Sequence, residues 1–126
     1  MPSPTYRLQI DVETAYIAAQ SAPASHRYVF AYTITITNVG EVAAQLISRH
    51  WLITDANGNV QEVRGEGVVG EQPYLQPGDS FRYTSAALLE TPIGNMQGSY
   101  QMMAADGKGF DAPIPMFRLA MPNALH

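Results

Sequence analysis

The sequence predicts an all-β domain, a seven-stranded antiparallel β-sandwich. Three observations carry this. Apolar and polar residues alternate with period two along most of the chain, turn residues recur at short intervals, and no segment sustains a 3.6-residue period with caps at both ends. At 126 residues the chain suits one domain, residues 1–126, able to bury about two-thirds of its unfolded surface. A composition of 46% hydrophobic and 14% charged residues excludes a disordered chain.

The elements follow in order. In residues 6–16, Leu8, Ile10 and Val12 alternate with Arg7, Gln9, Asp11 and Glu13, the pattern of a half-buried strand. A small-residue linker, IAAQSAPAS, is broken by Pro23. The clearest strand comes next, with Tyr28, Phe30, Tyr32, Ile34 and Ile36 on one face. Asn38-Val39-Gly40-Glu41 turns it. Residues 43–54 carry apolar side chains on both parities (Ile47, Trp51 and Ile53 against Leu46 and Leu52), which places this third strand in the middle of a sheet. DANGN is a hairpin turn, since Asn57-Gly58 supplies the positive φ angles a tight turn needs. Residues 60–64 return as a fourth strand. After the glycine segment, residues 74–79 turn, and Phe81, Tyr83 and Ser85 begin a fifth strand. Residues 85–90 are the best helical candidate and are too short to stand alone. Thr91-Pro92-Ile93-Gly94 interrupts, residues 98–105 form a sixth strand, Asp106-Gly107-Lys108-Gly109 turns, and residues 110–119 form a seventh. Pro113 and Pro115 mark that last strand as an edge or bulged strand, protected against pairing. The first strand has no such protection, so its edge is a candidate for dimerisation. Residues 120–126 read as a tail. Seven short strands without cysteine suit the immunoglobulin-like class in its fibronectin type III-like form.

Composition narrows function by exclusion. Without cysteine there is no disulfide framework, thiolate zinc site or cysteine nucleophile, and a reducing compartment is suited. No apolar run approaches the ~20 residues of a membrane span, and MPSPTYRLQID lacks the basic start and apolar block of a signal peptide. The cytoplasm is the expected location. A net charge of -4 without a Lys/Arg cluster gives no footprint for nucleic acid. Of the 7 cations only Lys108 is lysine. Arginine is the cation enriched at protein interfaces.

GEGVVG, residues 65–70, fits G-x-G-x-x-G. The dinucleotide fingerprint works because its glycines open a helix whose N-terminus faces the pyrophosphate. Here EQPYLQPGDS follows, and Pro73, Pro77 and Gly78 forbid that helix. Glu90 stands twenty residues beyond Gly70 but has no βαβ unit to position it. Two readings remain open. The glycines let the backbone bulge or cross between sheets over Val68-Val69. Alternatively, successive amides form a nest that binds an anion beside Arg64.

Several of these segments together resemble the ApaG family. They are Arg49-His50-Trp51, GEGVVG, Gln72-Pro73, Leu75-Gln76-Pro77-Gly78, Tyr83-Thr84-Ser85, Thr91-Pro92, Gly94, Met96-Gln97-Gly98 and Tyr100, with FDAPIPMFRLA after them. The match covers nearly the whole chain. The resemblance implies a fibronectin type III-like sandwich, and related domains in F-box proteins and in a polymerase-interacting protein serve protein–protein contact. It also brings labels of cobalt resistance and magnesium efflux, and no settled catalytic activity.

The residues call for no catalytic centre, cofactor or metal. His26, His50 and His126 are scattered, and DANGN lacks the ligand series of a calcium loop. Cobalt or magnesium transport needs a membrane span the chain lacks, so a role in metal homeostasis is indirect. Ser48 and His50 share a strand face without an acid or an oxyanion hole. Trp51 is the expected core anchor. Arg49 and His50 line a surface patch, or satisfy carbonyls of the next loop; Arg82 is the third candidate of that patch. The expectation is a non-enzymatic binding module that contacts a protein partner through the 64–78 loop and a sheet face, with Arg64, Gly65, Glu66, Gly67 and Gly70 as loop candidates. The alternative is a nucleotide, polyphosphate or other anion-binding protein using GEGVVG, with Tyr74 available to stack a base. That alternative lacks the metal cage and positioned base of phosphoryl transfer.

Overall fold

A computed structural model describes residues 5–123. His126 and the end of the expected tail lie outside the described residues. The strands are β1 (Leu8–Tyr16), β2 (Tyr28–Asn38), β3 (Ala44–Asp55), β4 (Val60–Glu66), β5 (Tyr74–Leu75), β6 (Ser80–Leu89), β7 (Ile93–Ala104) and β8 (Gly109–Ala120). They form two antiparallel sheets, a smaller one ordered β1-β2-β6 and a larger one ordered β4-β3-β7-β8, with β5 also paired to β3. No helix among the described residues is long and apolar enough to cross a membrane.

The fold is the expected all-β sandwich, with three corrections to its elements. Tyr74-Leu75 is an eighth, two-residue strand and not part of a turn, because its backbone pairs with Ala44-Gln45 of β3. Residues 85–89 continue β6, since tertiary pairing with β2 overrides a weak helical preference. Strand β7 starts at Ile93, so the Thr91-Pro92 interruption is shorter than expected. The linker of residues 17–25 holds two short 3₁₀ turns, Ala18–Gln20 and Pro23–Ser25.

Alternation in β2 sends Phe30, Tyr32, Ile34 and Ile36 into the core against Tyr83 and Leu89 of β6. From the other sheet come Trp51, Ile53, Met96, Tyr100, Ile114 and Leu119. Trp51 is 2% exposed and meets the rings of Tyr32, Tyr100 and Phe117 edge-on at centroid distances of 5.5, 6.5 and 5.9 Å. It is the core anchor the sequence suggested, although its indole N–H finds no hydrogen-bond partner among the described residues.

The two apolar parities of β3 have a specific cause. A bulge between Leu46 and Ser48 shifts its register against β7. Before the bulge the even residues Ala44 and Leu46 are buried; after it the odd residues Trp51 and Ile53 are. Arg49 shares the parity of Trp51 and therefore starts toward the interior. Strand β8 is both an edge and bulged, as its prolines suggested. Phe117 faces Met96 and Ile114 faces Gly98, so Pro115 and Met116 together oppose one residue of β7.

Candidate functional site

The glycine segment is an excursion from the edge of the larger sheet, between β4 and β5, at the β3 bulge. Gly67 donates to the Ile47 carbonyl at 2.9 Å, and the Gln72 side chain donates to the same oxygen at 2.8 Å. Leu46 then donates to Pro73 as the chain rejoins the sheet. Between these points Val68 and Glu71 exchange two backbone bonds of 2.8 and 2.9 Å, closing a two-residue turn over Val69 and Gly70. Both turn residues have positive φ, +43° and +81°, the signature of a type I′ turn. Gly70 adopts this freely, whereas a β-branched valine does so under strain of about 1–3 kcal/mol. Val69 is nevertheless exposed, while Val68 is a buried plug.

No helix follows the glycines. The amides of Gly67, Val68 and Glu71 are engaged inside the loop and with β3. The carbonyls of Glu66 and Gly67 receive the Arg49 guanidinium at 3.0 and 2.8 Å. Arg49 reaches them by lying across Gly65, where a Cβ would sit 2.8 Å from its terminal nitrogen. At Gly67 a Cβ would overlap the Glu71 carbonyl oxygen. Arg49 fills both roles open for it: it caps carbonyls of the next loop and lines a hollow beside that loop.

His50 and Ser48 face the other way, onto the outer face of the larger sheet, as their two-residue spacing implied. The Asn-Gly hairpin sets His50 opposite Arg64. There His50 Nε2 pairs with Glu62 Oε2 at 2.6 Å, and Arg64 donates to the same oxygen at 3.0 Å. The His50 hydrogen bond, then the Arg64 charge, hold the Glu62 carboxyl below its ordinary range. Ser48 donates to Gln101 at 2.9 Å, and Gln101 donates to Ser99 at 2.9 Å, so Ser48 is not paired with His50. Apart from Glu62, these groups, with Arg49, Asp111 and the edge of the glycine loop, line a hollow of about 470 Å³. Among the described residues no three His, Cys, Asp or Glu side chains cluster to hold a metal ion.

Arg82 does not join this face. It lies in β6 on the outer face of the smaller sheet, donating to Glu13 at 2.9 Å. Of the expected patch of Arg49, His50 and Arg82, the first two line the same hollow, Arg49 from its loop side, while Arg82 stands on the opposite sheet. Arg64, Gly65 and Glu66 do meet at the hollow; Gly67 and Gly70 shape the loop beside it. Sequence reasoning missed Glu62, Ser99, Gln101 and Asp111. Glu62 was within reach, because the Asn-Gly turn fixes the β3–β4 register. The others arrive through β7 and β8, whose pairing is non-local.

Fold and site define a two-sheet β-sandwich domain whose most elaborated features are one sheet face and the loop pinned beside it. The family model described as the ApaG domain matches residues 18–104. The chain belongs to that family. It is 68% identical over 121 residues to Protein ApaG of Thiobacillus denitrificans, covering 96% of this chain and 95% of the relative. Protein ApaG of an Azoarcus species is 63% identical, with 98% of each chain covered. The crystal structure of an ApaA protein from Bordetella pertussis superposes with a TM-score of 0.92 at 52% identity, covering 98% of this chain and 100% of that one. The C-terminal domain of wzt shares the fold alone, at 14% identity, a TM-score of 0.53 and coverage of 98% and 84%.

Proposed function

We propose that this domain is a non-enzymatic binding module that recognises a protein partner on the outer face of the larger sheet, beside the 64–78 loop. The observation that carries the reading is the pre-ordered polar row on that face. Ser48, Gln101 and Ser99 hold one another, as do His50, Glu62 and Arg64, so their geometry is set before any partner arrives. Ordering them in advance lowers the entropic cost of association. The loop rim adds a rigid contour, with exposed Val69 and Tyr74 at hand and exposed Arg64 at the edge. The absence of cysteine suits a reducing compartment such as the cytoplasm.

The test is affinity capture from the source cells with wild-type protein, an Arg64→Glu, Gln101→Ala variant and an Arg82→Glu variant, followed by titration of the purified candidate. A partner that saturates wild type and Arg82→Glu, and loses affinity for the double variant, supports the reading. Indifference to the double variant contradicts it. Micromolar binding of ATP or inorganic polyphosphate that disappears in Gly67→Ala transfers the function to the anion-binding alternative.

A further inference from the structure

The sandwich presents four sheet edges, and among the described residues β1 is the one that no proline, bulge or capping side chain interrupts. On β8, the Ala104–Lys108 backbone bond shows that even residues at the start of that strand face β7. Odd residues therefore face outward, and Pro113 there has no N–H to offer. The bulge at Pro115 and Met116 breaks the edge further on. On the opposite side, Gln61 of β4 donates to the outward Leu88 carbonyl of β6 at 3.3 Å, and Arg49 occupies the outward Glu66 carbonyl of β4.

Among the described residues, strand β1 has neither proline nor cap. Val39 donates to the Arg7 carbonyl at 3.1 Å and Ile17 donates to the Val29 carbonyl at 2.8 Å, which fixes the odd residues as those bonded to β2. The N–H and C=O groups of Leu8, Ile10, Val12 and Thr14 consequently point to the side where, among the described residues, no strand pairs. Beside the start of this edge lies a cavity of about 620 Å³ in the seam between the sheets, lined by Tyr6, Leu8, Lys108, Phe110, Asp111 and Pro113.

We propose that the β1 edge binds an extended segment of a protein partner by strand addition. The segment seats an apolar side chain in the seam cavity and sets cationic side chains along the outer face. Charge selects this occupant. The outward side chains of β1 include Gln9, Asp11 and Glu13; Glu13 is held by Arg82, whereas Asp11 receives the Gln9 amide at 3.0 Å. Among the described residues no Lys or Arg forms an ion pair with Asp11. A second copy of the chain is disfavoured: the register that pairs the full strand, Leu8 with Tyr16, sets Asp11 opposite Glu13 twice, and like charges across a ladder repel. An added strand with Lys or Arg opposite Asp11 turns that repulsion into attraction, while its main chain completes the open ladder. This site uses the edge of the smaller sheet and does not depend on the reading of the polar hollow.

The test selects phage-displayed short random peptides on the wild-type protein, then measures the enriched peptides against three variants. Thr14→Pro removes one outward N–H at an exposed position without touching the β2 ladder. Asp11→Lys reverses the charge, and Arg64→Glu is the control on the other sheet. Trp51 fluorescence melts confirm that each variant folds. The expected result is enrichment of sequences alternating apolar residues with Lys or Arg. Their affinity falls about tenfold or more in Thr14→Pro and Asp11→Lys and is unchanged in Arg64→Glu. N-methylation of alternate peptide residues abolishes binding in one phase and not in the other, a response that side-chain contact alone does not give. Enrichment without alternation, or equal affinity for Thr14→Pro and for both methylated series, overturns the proposal. So does a dimer of the free protein that Thr14→Pro dissociates, which assigns the edge to a second copy.

Discussion

Gly67 is the position where the reading of GEGVVG as a pinned loop meets its sharpest quantitative consequence. Its φ of +60° disfavours a Cβ, and the nearby Glu71 carbonyl leaves no room for one. In Gly67→Ala the left-handed conformation costs about 1–2 kcal/mol. The overlap forces the turn to move, which endangers the two Val68–Glu71 backbone bonds at about 1 kcal/mol each. Reduced freedom of the unfolded chain returns about 0.4–1 kcal/mol. The net expectation is a loss of about 2–3.6 kcal/mol. Gly70→Ala is the internal control: its φ is +81°, yet a Cβ there meets nothing within 4 Å. Only the conformational cost remains, offset by the same unfolded-state gain, for a net loss of about 0–1.6 kcal/mol. Urea unfolding followed by the emission of Trp51, the sole tryptophan, measures both. Equal losses for the two variants would falsify the close-approach argument.

Other consequences follow from the same geometry. The buried hydroxyls of Tyr83 and Tyr100 share a 2.6 Å hydrogen bond, and burial pushes both far above the ordinary tyrosine value. A raised folded value means stability that is intact below the ordinary value and declines as pH rises above it, so these two tyrosines should ionise only with alkaline unfolding in an absorbance titration. Tyr100→Phe strands the Tyr83 hydroxyl and should cost about 1–3 kcal/mol, while the double Tyr83→Phe, Tyr100→Phe variant should cost less than the sum of the singles. Asn38→Ala deprives the Val42 and Leu75 carbonyls and the Gly40 amide of their partner, with an expected loss of about 2–3 kcal/mol in urea unfolding. Glu62 has the opposite sign to the tyrosines: its lowered value contributes stability above the ordinary glutamate range that is lost as pH falls through the folded value. The NMR titration midpoint of its side chain should move back up in His50→Ala.

How far the sequence reached depends on whether the governing contact is local. Strand β2 alternates cleanly, and the Asn57-Gly58 turn fixes its own hairpin, so both were legible. The prolines after GEGVVG exclude a coenzyme helix without any tertiary information. The β3 bulge is different. It arises where the glycine excursion leaves the sheet and Ile47 must bond to Gly67 and Gln72. It then flips the parity that decides whether Arg49 faces the core or solvent. Arg82 was grouped with Arg49 and His50 by residue type, but assignment to a sheet comes from pairing with β2. Ser99 and Gln101 reach Ser48 only because β7 pairs with β3 across about fifty residues of chain, a contact with no local signature. In residues 85–90 the run of Ala and Leu is compatible with helix, and only the β2 ladder makes it a strand.

The central claim is that the polar face of the larger sheet is the recognition surface. The most direct test is a hydrogen-exchange footprint of the domain with its captured, purified partner. The backbone bond between Asp55 and Asn59 shows that odd residues of β4 face β3, which leaves the amides of Glu62, Arg64 and Glu66 on the free edge beside the hollow. Those amides should slow on complex formation, while the outward amides of Arg82, Thr84 and Ala86 on the smaller sheet exchange at their free rate. Protection confined to the smaller sheet, with the β4 edge unchanged, would contradict it.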